Sequence, residues 1–170
     1  RTKEPENIYL YENCHIMGGA LISAAKAKFI MKKNSGAAEG LTVITTTHPA
    51  FIGEWFMEKG NNNEYAEAKD IIVEEDVWIA TNVTLLMGAH IGRGAIIGAG
   101  AVIRKKIPPY AIVVGNPAKI VGFKFTPTEI IEHEERLYPL DKRLTINVLE
   151  NNYNKHFISR IQEIKEYLKQ

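Results

Sequence analysis

Residues 73–107 read VEEDVW-IATNVT-LLMGAH-IGRGAI-IGAGAV-IRKKI, and an aliphatic residue opens every block of six: Val73, Ile79, Leu85, Ile91, Ile97 and Ile103. A small or aliphatic residue follows four places later, at Val77, Val83, Ala89, Ala95, Ala101 and Ile107. On an α-helix, residues six apart diverge by about 240° and would spiral around the axis, whereas an even period keeps them on one face of extended chain. The stretch therefore reads as a run of short strands. Glycines keep the same period: Gly88, Gly94 and Gly100 take one corner position, and Gly92 and Gly98 directly follow an inward aliphatic, as sharp turns between strands require. If three strands make one triangular turn, residues eighteen apart stack in the core, placing Val73 on Ile91, Ile79 on Ile97 and Leu85 on Ile103.

On the N-terminal side the pattern blurs. Ile16 and Ile22 are in register, a slip follows near Phe29 and Ile30, and Leu41 to Thr46 is again extended. Residues 49–70 break the repeat with Phe51-Ile52-Gly53-Glu54-Trp55-Phe56, then Asn61-Asn62-Asn63 and Tyr65, an insertion of about 20 residues of the kind that is more often functional than idle. Its aromatics read either as pins holding a surface loop to its own body or as contacts to a neighbouring subunit or a substrate.

On the C-terminal side the repeat is expected to stop at Pro108-Pro109, which lack the donors that extend a ladder. Tyr110 to Lys119 reads as a strand and a turn. Thr126-Pro127-Thr128-Glu129 fits a capping box with proline at the first helical position, predicting a helix from Pro127 to Tyr138. Phe157, Ile161, Ile164 and Leu168 form an apolar stripe along a second helix, Asn154 to Leu168. The organisation is thus a mainly β domain over residues 1–125, with the loop insertion at 49–70, and an α-helical extension over 126–170. That extension reads as a cover for the open end of the coil or a dock for a sister subunit, and the run Glu132, Glu134, Glu135 as a solvated face.

The 170 residues are 45% hydrophobic with a net charge of +1, enough for one core and too balanced for bulk nucleic-acid binding. The single cysteine, Cys14, excludes an internal disulfide framework and suits a reducing compartment. No run approaches about 18 apolar residues, so no membrane span is expected, and the charged start without methionine reads as a cytoplasmic protein whose native N-terminus is absent.

The stretches Asp76-Val77-Trp78-Ile79-Ala80, Ile97-Gly98-Ala99-Gly100, Ile107-Pro108-Pro109-Tyr110 and Gly115-Asn116-Pro117-Ala118-Lys119 resemble the hexapeptide-repeat acyltransferases, in the branch of galactoside, maltose and xenobiotic O-acetyltransferases. The resemblance covers about Ile8 to Phe125. It implies a left-handed parallel β-helix, a homotrimer with sites between subunits, and acetyl-coenzyme A as co-substrate with no metal. It also implies that His48, in Thr45-Thr46-Thr47-His48-Pro49, is the general base, a task suited to imidazole near neutrality. Trp78 matches a tryptophan beside the family's active-site groove, and Glu54 and Trp55 of the insertion join it as candidates for the acceptor side.

Ala80, Thr81 and Ala99 would form a narrow wall for the pantetheine arm, and Arg104, Lys105 and Lys119 the basic patch for the phosphates. Relatives commonly carry glycine at position 80 and threonine at 104, which alters the hydrogen bonds expected there. The acceptor expected is a saccharide hydroxyl, for example on a surface-polysaccharide precursor, with an antibiotic or an amino sugar as the alternative on the same scaffold. Two further classes compete with it: a metal-dependent hydratase like the γ-type carbonic anhydrases, for which His15, His48 and His90 lack the ligand spacing, and a non-catalytic assembly protein.

Overall fold

Val73 pairs with Ile91, Ile79 with Ile97 and Leu85 with Ile103, the three stackings that the six-residue period predicts. All six side chains are wholly buried. The computed structural model describes residues 1–60 and 62–169, so Asn61 of the asparagine run lies outside the described residues. The chain visits three sheets of parallel strands in strict rotation. The first holds Thr2–Lys3, Leu21–Ser23, Thr42–Ile44, Thr84–Leu86 and Val102–Ile103. The second holds Ile8–Leu10, Phe29–Met31, Ile71–Val73, His90–Ile91 and Lys106–Ile107. The third holds His15–Ile16, Gly36–Ala37, Trp78–Ile79, Ile96–Ile97 and Ala111–Val114.

Three positions after an inward residue, the backbone turns with positive φ. At one edge these corners are Asn13, Asn34, Asp76, Gly94 and Tyr110, and at the next Gly19, Gly40, Asn82 and Gly100. Asparagine and aspartate stand in for glycine because their short polar side chains tolerate the left-handed region. This explains why the glycine period fades before residue 88 although the coil does not.

The coil is irregular at one edge only, between the first and second sheets. Register partners are 20 apart in the first turn (Thr2 with Ile22), 21 in the second (Ile22 with Val43), 42 where Val43 meets Leu85, and 18 where Leu85 meets Ile103. The slip expected near Phe29 is therefore three extra residues, and the insertion is 24, a little longer than the sequence suggested. The last turn is short by two, since Ile91 pairs with Ile107. Ile107 accordingly takes an inward strand position, not the place four residues after an inward aliphatic that spacing assigned it.

Pro108 and Pro109 do not end the repeat. They sit in a corner, and Ala111–Val114 still stacks on Ile96–Ile97 beyond them. The coil ends one strand later, where Lys119–Phe123 folds back antiparallel on Ala111–Val114 through a turn containing a cis Asn116–Pro117 bond.

Helix α1, Pro127–Leu137, starts on the capping box of Thr126 and Glu129 as expected. The tail then departs from the reading above. Helix α2 spans Ile146–His156 and α3 Ile161–Tyr167, and Phe157 between them leaves helical geometry, so the stripe from Phe157 to Leu168 belongs to two short segments. Tyr110, Ile130 and Leu149 form a second small core with Phe123, Phe125 and Leu144. Glu134 is not on a solvated face: it is fully buried, accepting from the Tyr110 hydroxyl at 3.0 Å, the Arg93 guanidinium at 3.4 Å and the Leu144 backbone N–H.

Candidate active site

The insertion leaves and rejoins the coil through a pinched neck. Thr46–Thr47 pairs antiparallel with Glu67–Ala68, and His48 is the next residue out. Thr45, wholly buried, anchors the neck by donating its hydroxyl to the Ala25 carbonyl at 2.8 Å, in the segment that carries the three extra residues of the previous turn. A wide helical turn, Phe56–Gly60, brings Phe56 edge-on to the His48 ring with centroids 6.2 Å apart. His48 Nδ1 is buried and has no hydrogen-bond partner among the described residues. The imidazole therefore sits at the mouth of the loop with its Nδ1 side turned into the protein.

His48 opens on a cleft of about 400 Å³ lined by Lys3, Ser23, Ile44 and Thr46, on the outer face of the first sheet. A second cleft of about 510 Å³ lies farther along the same face, with Leu86, Val102, Arg104, Lys105 and Lys119 in its walls. Ile44 and Leu86 are register partners, so the two clefts meet on adjacent strands. Arg104 and Lys105 emerge from the same edge as His48, about 10 Å along the axis from the Ile44 strand at the usual strand spacing. Ala80, Thr81 and Ala99 form the other edge of this sheet; the Ala80 N–H donates to Ile97 and the Gly100 N–H to Thr81. The structure therefore brings seven of the sequence candidates to one face and its two borders.

The acceptor-side candidates are divided. Trp55 is on the insertion and strongly exposed, together with Ile52 and Met57. Phe51 instead packs edge-on against Tyr65 at 5.3 Å beneath the Lys59 ammonium, so the insertion is pinned at one end and open at the other. Glu54 is ion-paired with Lys59 at 2.9 Å, which holds that ammonium above its ordinary range and leaves the carboxylate engaged away from the imidazole. Trp78 lies on the third sheet, half exposed, its ring against Gly36. Within one chain it does not share a face with His48.

His90 is satisfied within the coil: Nε2 is 2.9 Å from Glu74, which also binds Lys32 at 2.7 Å. Burial alone raises the Glu74 carboxyl, but Lys32 and His90 outweigh it and hold the group below the usual carboxylate range. Sequence reasoning missed Lys106, His156 and Arg160, all in the wall of the second cleft. Lys106 was visible only as part of a charged corner, and nothing in the linear chain links His156 or Arg160 to a site some fifty residues earlier. Among the described residues no group of three metal-binding side chains converges, and no helix is long and apolar enough to cross a membrane.

The family model for the bacterial transferase hexapeptide (six repeats) matches residues 70–105. The chain is 34% identical over 116 residues to a chloramphenicol acetyltransferase of Agrobacterium fabrum, a match covering 68% of this chain and 54% of the relative. It is 34% identical over 117 residues to a Lysinibacillus sphaericus protein described as a probable macrolide acetyltransferase, covering 68% and 63%. Among solved structures, a maltose O-acetyltransferase from Clostridium difficile 630 matches with a TM-score of 0.61 and 27% identity over 71% of this chain and 60% of that one. The chain belongs to the hexapeptide-repeat acyltransferase family, and its coil is that family's left-handed parallel β-helix. It spans about half the length of the curated relatives it matches.

Proposed function

We propose that this chain is an acetyl-coenzyme-A-dependent O-acetyltransferase acting on a saccharide hydroxyl, with His48 as general base. The observation that carries this reading is the imidazole at the neck of the insertion, opening on a face that runs on into a cleft of basic side chains. The fit is chemical: the phosphates meet cations, and the thin arm meets the short side chains of Ala80, Thr81 and Ala99. Acetyl-coenzyme A supplies the acetyl group as a thioester. His48 takes the proton of the acceptor hydroxyl as that oxygen bonds to the carbonyl carbon; the carbon–sulfur bond breaks, and the same proton passes to the leaving sulfur. The imidazole returns to its starting state, and no covalent acetyl-enzyme is required.

A homotrimer with sites between chains completes this reading. It is supported by the open outer face of the first sheet and the exposed Ile52, Trp55 and Met57. In such an assembly Trp78 of one chain would face His48 of the next and offer its ring to a pyranose. The likeness to a maltose O-acetyltransferase favours a sugar. A second reading, acetylation of an antibiotic hydroxyl, is favoured by the apolar tip of the insertion and by the two relatives named for chloramphenicol and macrolides. The compartment proposed is the cytoplasm, where acetyl-coenzyme A is available.

A thiol-release assay with acetyl-coenzyme A across panels of sugars, amino sugars and antibiotics tests donor and acceptor together. Turnover is expected on a sugar hydroxyl; turnover only on antibiotics selects the second reading, and none on any acceptor, despite coenzyme binding, defeats both.

A further inference from the structure

The second cleft draws on three separate parts of the chain. The corner Arg104-Lys105 and the adjoining Lys106 form one side, the cis-proline turn and Lys119 the floor, and His156 and Arg160 the side contributed by the C-terminal helices. Every ionisable side chain in its wall is basic. Like charges gathered this closely repel unless an anion joins them. Within the chain that compensation is slight: Glu163, outside the wall, binds Arg160 through two contacts at 3.0 and 2.8 Å, and Lys119 sits over the Tyr167 ring at 4.4 Å. Arg104, Lys105 and Lys106 make no ion pair among the described residues. The Glu163 contacts use Nε and Nη2 of Arg160, so its guanidinium is held in one orientation with Nη1 free of that pair. Burial, then Lys155 and Arg160, push the His156 imidazole below its ordinary range, a mark of the same cationic surroundings.

We propose that the C-terminal helical segment is part of the ligand site: His156 and Arg160 close the cleft over a phosphorylated nucleotide end, whose phosphates they bind together with Arg104, Lys105 and Lys119. The proposal rests on the donor reading above for the identity of the nucleotide. It gives the tail a role besides covering the coil. Leu86 and Val102 in the wall continue toward Ile44 and the His48 cleft, so one extended molecule can occupy both.

Titration calorimetry on the full chain tests this with coenzyme A, dephospho-coenzyme A and adenosine 3′,5′-bisphosphate, on wild type, His156→Ala, Arg160→Gln and Arg160→Lys, with thermal melts as the folding control. We expect coenzyme A affinity to fall about tenfold in Arg160→Gln and about fivefold in His156→Ala, with partial recovery in Arg160→Lys, since a charge-assisted contact from Arg160 to phosphate outweighs an ordinary hydrogen bond from His156. A smaller loss for dephospho-coenzyme A would assign the pair to the 3′-phosphate; an equal loss would assign it to the pyrophosphate. Wild-type affinity in folded Arg160→Gln and His156→Ala overturns the proposal. Binding of the bisphosphate through these residues without binding of coenzyme A would keep the anion cleft and sink the donor reading, and a wild type that binds none of the three overturns both.

Discussion

The Tyr110 hydroxyl donates to the buried carboxylate of Glu134 at 3.0 Å, joining the last corner of the coil to the first helix of the tail. Burial and then the adjacent Glu134 push the Tyr110 hydroxyl well above its ordinary range, so it remains a donor at any working pH. Tyr138 on the same helix's end, with burial as the main cause, is raised to about 12. Glu134 also receives Arg93 and the Leu144 N–H, so its removal strands the Tyr110 hydroxyl and the Leu144 N–H, while Arg93 keeps the Lys142 carbonyl at 2.9 Å. Glu134→Ala is expected to destabilise the protein by about 3–5 kcal/mol, and Glu134→Gln by less because one acceptor remains. Urea unfolding measures this; a loss in Glu134→Ala below about 1 kcal/mol would mean that water already reaches the cluster.

Gly94 and Gly100 have nearly the same backbone, φ +68° and +69°, but different surroundings. A Cβ on Gly94 would overlap the Tyr110 ring, while one on Gly100 meets nothing within 4 Å. Gly100→Ala is expected to cost about 1 kcal/mol, from the left-handed backbone alone, and Gly94→Ala about 2–5 kcal/mol because overpacking is added. Denaturant midpoints compare the two directly. Equal losses would show that Tyr110 moves aside freely.

Glu74 links two turns of the coil to Lys32 and His90, and its folded value lies below its ordinary 4.5. A carboxyl depressed in the folded state contributes stability above its unfolded value and loses it as pH falls through the folded one. Wild type should therefore lose melting temperature as pH is lowered through about 4.5 and below. Glu74→Gln should show a shallower fall over that window, by a few degrees, and the same slope in both proteins would remove Glu74 from the acid response.

His48→Ala should lower kcat by about 10²- to 10⁴-fold, the usual contribution of a positioned base, while coenzyme affinity stays within about twofold. Steady-state kinetics paired with calorimetry read the two quantities separately. Unchanged turnover would dismiss the imidazole as base.

Much of the coil was legible beforehand because its period is a local property. Val73 to Ile103 alternate in and out along each strand, and every stacked pair expected from an eighteen-residue turn is present. The capping box of α1 was equally local. The early turns were harder because Asn13 and Asn34 do the work of corner glycines at one edge, and two or three extra residues per turn break the six-residue count. Ile107 was misplaced because a two-residue deletion at one edge shifts the frame without disturbing composition. Glu134 was misread because three neighbouring glutamates look alike in sequence, and only packing decides which one faces Tyr110.

What the sequence alone determined was the stacked coil and the few residues whose neighbours in the chain define them: the inward aliphatics and the helix cap. Tertiary structure decided everything that depends on residues distant in the chain. It set Ile44 against Leu86, collected Arg104, Lys119 and Arg160 around one cleft, and parted Trp78 from His48 onto different sheets. The physical reason is that a period fixes which way a side chain points, whereas burial, charge and the company a side chain keeps are set by which turn lies above it and which helix returns to cover it.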